Sequence, residues 1–200
     1  LLDALPICGL ELIYEGDSDA DTIFNPTNHA YFNLNGHASG LAMEHKLCLK
    51  ASGYTPAFPD CIPTGQIASV AGTAFDFTEP QVIGERIGYD PQLKVGGGYD
   101  HNFVLDTNGG SCEKVAVLSS EQTGRKMTVY TDLPGIQFYA GNFIANHTGK
   151  GGASYGPRCG VCLETQFFPD AIHNPQWASP ILRKGEKYYS RTEYEFSIKY

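Results

Sequence analysis

Thr192-Glu193-Tyr194-Glu195-Phe196-Ser197-Ile198-Lys199-Tyr200 alternates apolar, aromatic or β-branched side chains with charged and small polar ones without a break. A period of two sends successive side chains to opposite faces of an extended chain, so this stretch reads as a half-buried antiparallel strand. Helix-period segments are scarce elsewhere. The 12 Tyr, 11 Phe and 23 Gly among 200 residues favour strands joined by turns over a helical bundle.

Further strands follow the same logic. Leu10 to Glu15 alternates and is closed by the acidic Asp17–Asp21 turn, and Thr22-Ile23-Phe24 begins a second strand. Met43 to Lys50 is a third, and Gly96-Gly97-Gly98 delivers a fourth, Tyr99 to Leu105. Val115–Ser119 and Lys126–Thr131 pair around Glu121–Gly124. After the Leu133-Pro134-Gly135 turn come Ile136–Tyr139 and then Gly160–Gln166, stopped by Pro169-Asp170. The pattern predicts a helical turn or two over Pro80–Ile87, with Pro near its start and Gly88 just past its end. With about ten strands, one short helix, no internal repeat and no linker, the chain is expected to form a single all-β domain over residues 1–200, an antiparallel sandwich or open barrel.

Composition narrows the partners. With 42% hydrophobic and 18% charged residues, the chain can bury a substantial core. A formal net charge of −8 without a basic cluster argues against nucleic acid and fits a neutral polar ligand better. No apolar run reaches the roughly 18 residues of a membrane span, and no signal peptide opens the sequence. The cytosol is therefore expected, with the six cysteines as reduced thiols. The opening Leu1-Leu2-Asp3-Ala4-Leu5-Pro6, without Met, reads as cut from something longer.

Several motifs carry little. Cys159-Gly160-Val161-Cys162 is half a zinc knuckle without its second pair, and no metal or cofactor is expected. Gly149-Lys150 lacks the rest of a phosphate loop, and Asn146-His147-Thr148 is a formal glycosylation acceptor best read as a loop. More telling is Asn25-Pro26-Thr27-Asn28-His29-Ala30-Tyr31-Phe32-Asn33-Leu34-Asn35-Gly36. Amides, an imidazole and two aromatics crowd together there, as either a network that fixes a turn or a wall of a polar pocket. Glu164 should point away from the face that buries Val161 and Leu163. Taken alone, it reads as a solvated strand glutamate. His29, Asp100, Gln137 and Glu164 are nevertheless expected near strand ends, where carboxylates, an imidazole and an amide suit sugar hydroxyls.

The Thr27-Asn28-His29 segment with its aromatic pair and Asn33-Leu34 resembles the hallmark of the aldose 1-epimerases, or galactose mutarotases. Asp100-His101-Asn102, the Gln137 strand and Leu163-Glu164-Thr165-Gln166 are similar to three further family segments in the family's order. Asp60–Gly65 and Ser179–Glu186 fit as well. The resemblance covers the chain from about Leu10 onward and implies an antiparallel β-sandwich of the galactose mutarotase type. It also implies interconversion of the α and β anomers of free aldohexoses such as galactose and glucose. His29 would be the general acid and Glu164 the general base, Asp100 would hold ring hydroxyls, and Gln137 would add a second polar contact. The family's domain extends upstream of the Asn-His segment, where it supplies an arginine and a histidine. The sandwich is accordingly expected to be incomplete at its N-terminus. Two other readings remain open from the residues: a sugar-binding module without turnover, and a glycosidase using Asp100 and Glu164 as its carboxylate pair.

Overall fold

A computed structural model describes residues 8–198. The Leu1–Pro6 opening and the Lys199-Tyr200 end of the alternating strand lie outside the described residues. Fifteen strands follow one another among them: β1 (Cys8–Asp17), β2 (Thr22–Ile23), β3 (Lys46–Leu49), β4 (Gly53–Tyr54), β5 (Ala68–Ser69), β6 (Gln81–Val82), β7 (Asp100–Val104) and β8 (Glu113–Ser119), then β9 (Arg125–Thr131), β10 (Gly135–Tyr139), β11 (His147–Thr148), β12 (Ser154–Tyr155), β13 (Cys162–Gln166), β14 (Ile181–Leu182) and β15 (Lys187–Ile198). They build a six-stranded sheet in the order β1-β15-β9-β8-β3-β6, a five-stranded sheet in the order β13-β10-β7-β4-β5 and two two-stranded ribbons, β11-β12 and β14-β2, every pairing antiparallel.

The alternating C-terminal strand is a central one. β15 lies between β1 and β9, with Tyr194 opposite both Leu10 and Val129. Ser190, Thr192 and Tyr194 are buried as the period of two requires. The inward face opens toward the strand's end: Phe196 is only half-buried, and Ile198 is 46% exposed. β8 and β9 pair around their turn as expected, with one register shift between Lys114 and Ala116.

Pro80–Ile87 is not an α-helix. Gln81-Val82 pairs with the edge of β3, and only Ile83–Glu85 makes a single 3₁₀ turn. Tertiary hydrogen bonds decide it, because Ile83 N–H donates to His45 O at 3.0 Å and Gly84 N–H to Met43 O at 2.9 Å, while the Ile83 side chain is fully buried. The α-helix is α1, Pro91–Val95. Asp90 caps it by accepting from Gln92 N–H at 2.9 Å, Pro opens it, and Leu93 is its buried anchor.

The core lies between the two sheets. Leu47, Leu118 and Met127 from one sheet meet Phe103, Phe138 and Leu163 from the other, all essentially without solvent contact. Each such side chain stabilises the fold by about 1.5–3 kcal/mol. Phe75 stacks on Tyr54 at 4.1 Å between ring centroids and extends the core over β4. Across the layers the Tyr194 hydroxyl donates to Leu163 O at 2.8 Å, and the Thr165 and Thr192 hydroxyls bond each other. The C-terminal strand is thereby tied to the back of β13.

Strand parity then separates two chemistries. Along β13, β10 and β7, Leu163, Thr165, Ile136, Phe138, His101 and Phe103 face the core. The alternate residues face outward. Register places Gln137 between Glu164 and Asn102, and Tyr139 between Cys162 and Asp100. Among the described residues no helix is long and apolar enough to cross a membrane.

Candidate active site

The outward face of the five-stranded sheet collects the polar groups. Glu164 sits at the centre of β13, with Gln137 directly opposite on β10. Asp100 begins β7, and the Gln137 side-chain amide donates to its Oδ1 at 2.8 Å. His29 comes from the loop between β2 and β3. The expectation of a constellation at strand ends is therefore corrected: Asp100 is at one, whereas Gln137 and Glu164 lie mid-strand on an open sheet face. A sheet face fixes side-chain direction by its pleat, so it can hold a site as firmly as a loop can.

The amide-rich stretch does both things its composition allowed. The Asn25 side chain accepts from Phe167 N–H at 2.9 Å and donates to Phe167 O at 3.0 Å, clasping the end of β13. Asn33 donates to Cys159 O at 3.0 Å near its beginning. Phe32 and Val161 exchange two backbone hydrogen bonds of 2.8 and 3.0 Å. Between these anchors Asn28 Oδ1 accepts from Ala30 N–H at 3.1 Å, a local turn centred on His29. The imidazole is thus hung over β13. Its Nε2 lies 3.6 Å from Glu164 Oε1, and its Nδ1 lies 3.4 Å from Cys162 Sγ.

Glu164 is not a solvated glutamate. It is 7% exposed, and burial pushes its carboxyl up to about 7, an effect that His29 reduces and the Asp100 carboxylate reinforces. Burial also raises Asp100, partly offset by the Gln137 hydrogen bond and then by His29. The rings of Tyr31 and Tyr139 stand 5.1 and 6.0 Å from the His29 ring. Tyr139 is pinned by accepting from Phe143 N–H at 2.8 Å, whereas Tyr31 is half-exposed. Behind Gln137, the Gln166 amide donates to Gln137 Oε1 at 3.4 Å and to Asn102 Oδ1 at 3.3 Å, extending the polar row.

All four expected residues are brought together. Cys162, Tyr31, Tyr139, Asn102 and Gln166 were not named as site residues from the sequence, although parity within the strands could have found four of them: 162, 164 and 166 share a face, as do 137 and 139, and 100 and 102. His101, between Asp100 and Asn102, faces the core instead. It is 2% exposed against the Phe75 ring, and burial pushes it down to about 4, so it is a neutral core histidine.

His29, Cys162 and Glu164 also offer three donor atoms within 4.8 Å of one another. The thiol and the carboxylate approach opposite nitrogens of the ring, the arrangement of a bridging imidazole rather than of three ligands converging on one ion. A cavity of about 870 Å³ adjoins the site, lined by Phe32, Leu34, Phe143, Ile144 and Phe196 and sharing Tyr31 with it. The His29–Glu164 pair lies outside that cavity, since neither residue lines it.

Fold and site together define a class: an antiparallel β-sandwich presenting a carboxylate and an imidazole, flanked by the hydrogen-bonded Asp100–Gln137 pair, on the outer face of one sheet. The family model described as aldose 1-epimerase matches residues 7–195. The chain is 43% identical over 195 residues to galactose mutarotase of Homo sapiens, covering 95% of this chain and 55% of that protein. To aldose 1-epimerase of Escherichia coli K12 it is 39% identical over 190 residues, 94% of this chain and 54% of that one. The crystal structure of galactose 1-epimerase from Lactobacillus acidophilus NCFM superposes with a TM-score of 0.79 at 34% identity, covering 96% of this chain and 54% of that one. The chain belongs to the aldose 1-epimerase family, and it spans about 55% of the length of the curated relatives it matches.

Proposed function

We propose that the protein interconverts the α and β anomers of free aldohexoses, galactose and glucose among them, by acid–base ring opening and closure. Glu164 is the general base, His29 the general acid, and Asp100 with Gln137 holds ring hydroxyls. The observation that carries this reading is the buried Glu164 carboxylate facing His29 Nε2 at 3.6 Å, on the same sheet face as the Asp100–Gln137 pair. The names of the relatives, galactose mutarotase and aldose 1-epimerase, point the same way.

Opening the ring requires a proton to leave the C1 hydroxyl while one reaches the ring oxygen. A base and an acid must therefore flank the anomeric centre. Once the ring is open, rotation about C1–C2 presents the other face of the aldehyde, and the protons return in reverse. A base works best when its pKa lies near the working pH, and a carboxyl raised to about 7 by burial meets that condition. The proton Glu164 takes up is one that its desolvated carboxylate favours holding. No step calls on a metal or a cofactor. Free thiols at Cys48, Cys61, Cys112, Cys159 and Cys162 fit a reducing cytosolic setting.

Polarimetry on freshly dissolved α-galactose tests the reading, with mutarotation faster than in buffer as the expected result. A second reading, a sugar-binding sandwich without turnover, rests on the Asp100–Gln137 pair, which would hold sugar hydroxyls whether or not Glu164 moves a proton. A rate equal to buffer alongside measurable galactose binding would select it. Release of free sugar from an aryl galactoside would select a glycosidase.

A further inference from the structure

The sequence carries two Asn-Gly pairs, Asn35-Gly36 and Asn108-Gly109, and the fold treats them differently. An asparagine before glycine is open to attack on its own side chain, because the glycine puts no Cβ beside the backbone nitrogen that makes the attack. Two freedoms are needed. The side-chain amide must be able to turn toward that nitrogen, and the nitrogen must not be engaged as a hydrogen-bond donor.

Asn35-Gly36 has neither. The Gly36 N–H donates to Asn33 O at 3.0 Å, Asn35 Oδ1 accepts from the Ser120 hydroxyl, and the Asn35 N–H donates to Asn33 Oδ1 at 3.0 Å. Both residues are half-buried. Asn108-Gly109 has both freedoms. It is exposed in the loop between β7 and β8, and among the described residues neither the Asn108 side chain nor the Gly109 N–H has a hydrogen-bond partner. The Asn108 backbone N–H donates to Glu113 Oε1 at 3.1 Å, which anchors the main chain and leaves the side chain loose. Gly109 and Gly110 have φ of +72° and +75°, so the turn itself calls for glycine at the position that leaves the attack unobstructed.

We propose that Asn108 is a site of self-modification in the folded protein, while the fold holds Asn35 inert. The Gly109 nitrogen gives up its proton to solvent and bonds to Asn108 Cγ, and the side-chain nitrogen takes up a proton and leaves as ammonia. Water then opens the cyclic imide. Attack at the side-chain carbonyl gives aspartate, and attack at the main-chain carbonyl gives isoaspartate, with the chain rerouted through the side chain. Either opening breaks a C–N bond to Gly109, whose nitrogen regains its proton. No oxidant or cofactor enters. The product adds a negative charge near the Lys50–Glu113 ion pair of 2.8 Å, at the end of β7 away from Asp100.

Incubation of the folded chain at mildly alkaline pH, followed by peptide mapping with mass spectrometry, tests the proposal without any need for turnover. The Asn108 peptide should gain the mass of an amide exchanged for an acid and split into two chromatographic peaks, about tenfold or more faster than the Asn35 peptide. In urea strong enough to unfold the chain, the two rates should come within about threefold of each other, because local hydrogen bonds then protect neither pair. Asn108→Gln, whose longer side chain closes a ring far more slowly, should remove the fast change of charge seen on ion exchange and leave Tm unaltered. Equal rates in the folded chain, or an Asn108 peptide that stays intact, would overturn the proposal. So would a fast change of charge that persisted in Asn108→Gln, or a difference between the two peptides that survived unfolding and therefore owed nothing to the fold.

Discussion

Gln137 and Glu164 face each other across the β10–β13 ladder on the outward side of the sheet, while the residues next to them, Phe138 and Leu163, are fully buried in the core. One pair of strands therefore serves both the packing and the site. Any slip of one residue in this ladder would exchange the two faces, turning the Glu164 carboxylate in among the core aromatics and exposing Phe138. The apolar half of each strand is what holds the polar half in register.

The raised carboxyl of Glu164 makes folding stability depend on pH. Its folded value of about 7 exceeds the unfolded value, so the native state binds the proton more tightly. The resulting stability is fully present below the ordinary carboxylate range and is lost as pH rises through about 7. Glu164→Gln, which has nothing to ionise, should be more stable than the unsubstituted chain at pH about 8, by about 3 kcal/mol. Near pH 4 the two should melt alike. Urea denaturation at the two pH values measures the difference.

Gly135 permits the polar row to pass under Phe168. A Cβ there would come within 2.6 Å of Asn102 Oδ1 and 2.8 Å of a Phe168 ring carbon. Gly135→Ala should cost about 1–3 kcal/mol through overpacking. It should also weaken sugar binding by displacing Asn102 and, through Gln166, Gln137. Thermal melts and calorimetric titration with galactose check the two effects separately.

Tyr194→Phe removes the hydroxyl that reaches Leu163 O at 2.8 Å across the core. The loss should cost about 1–2 kcal/mol, a fall in Tm of about 2–8 °C for a chain of this size. A variant melting at the unchanged temperature would mean that this bond adds nothing to the tie between sheets.

The fold was legible where one side of a strand meets solvent. Thr192 to Ile198 announced itself because β15 buries Thr192 and Tyr194 on one face and leaves Glu193 and Glu195 half-exposed on the other. β13 did not. Every residue from Cys162 to Gln166 is buried, so the burial of Glu164 left no mark in the alternation, and its grouping with His29, Asp100 and Gln137, sharpened by the match to the family segment, is what singled it out. The helix went astray for another reason: Pro80 and Gly88 are a valid pair of helix boundaries, but the edge of β3 captures Gln81-Val82 first. Two-residue strands such as β5 and β14 are set by their partners alone and leave no period to read.

The Asp100 carboxylate receives the Gln137 amide on one oxygen, Oδ1. Asp100→Asn keeps Oδ1 to accept from that amide but turns the other carboxylate oxygen into a donor and removes the charge, and should weaken galactose binding by about 1–3 kcal/mol, roughly ten- to hundredfold in Kd. Glu164 should respond as well. With the Asp100 charge gone, one of the causes raising its carboxyl disappears, so the acid limb of the pH–rate profile should move to lower pH. An acid limb that stays in place would argue that the two carboxylates do not sense each other.

Mutarotation of α-galactose by Glu164→Gln, followed by polarimetry beside a calorimetric measurement of galactose binding, tests the central claim most directly. Gln keeps the shape of Glu164 and removes its basicity, so the account predicts a loss of roughly 10²–10⁴-fold in rate with binding largely intact. A variant that bound the sugar and kept most of the rate would contradict the assignment of Glu164 as the group that takes the anomeric proton.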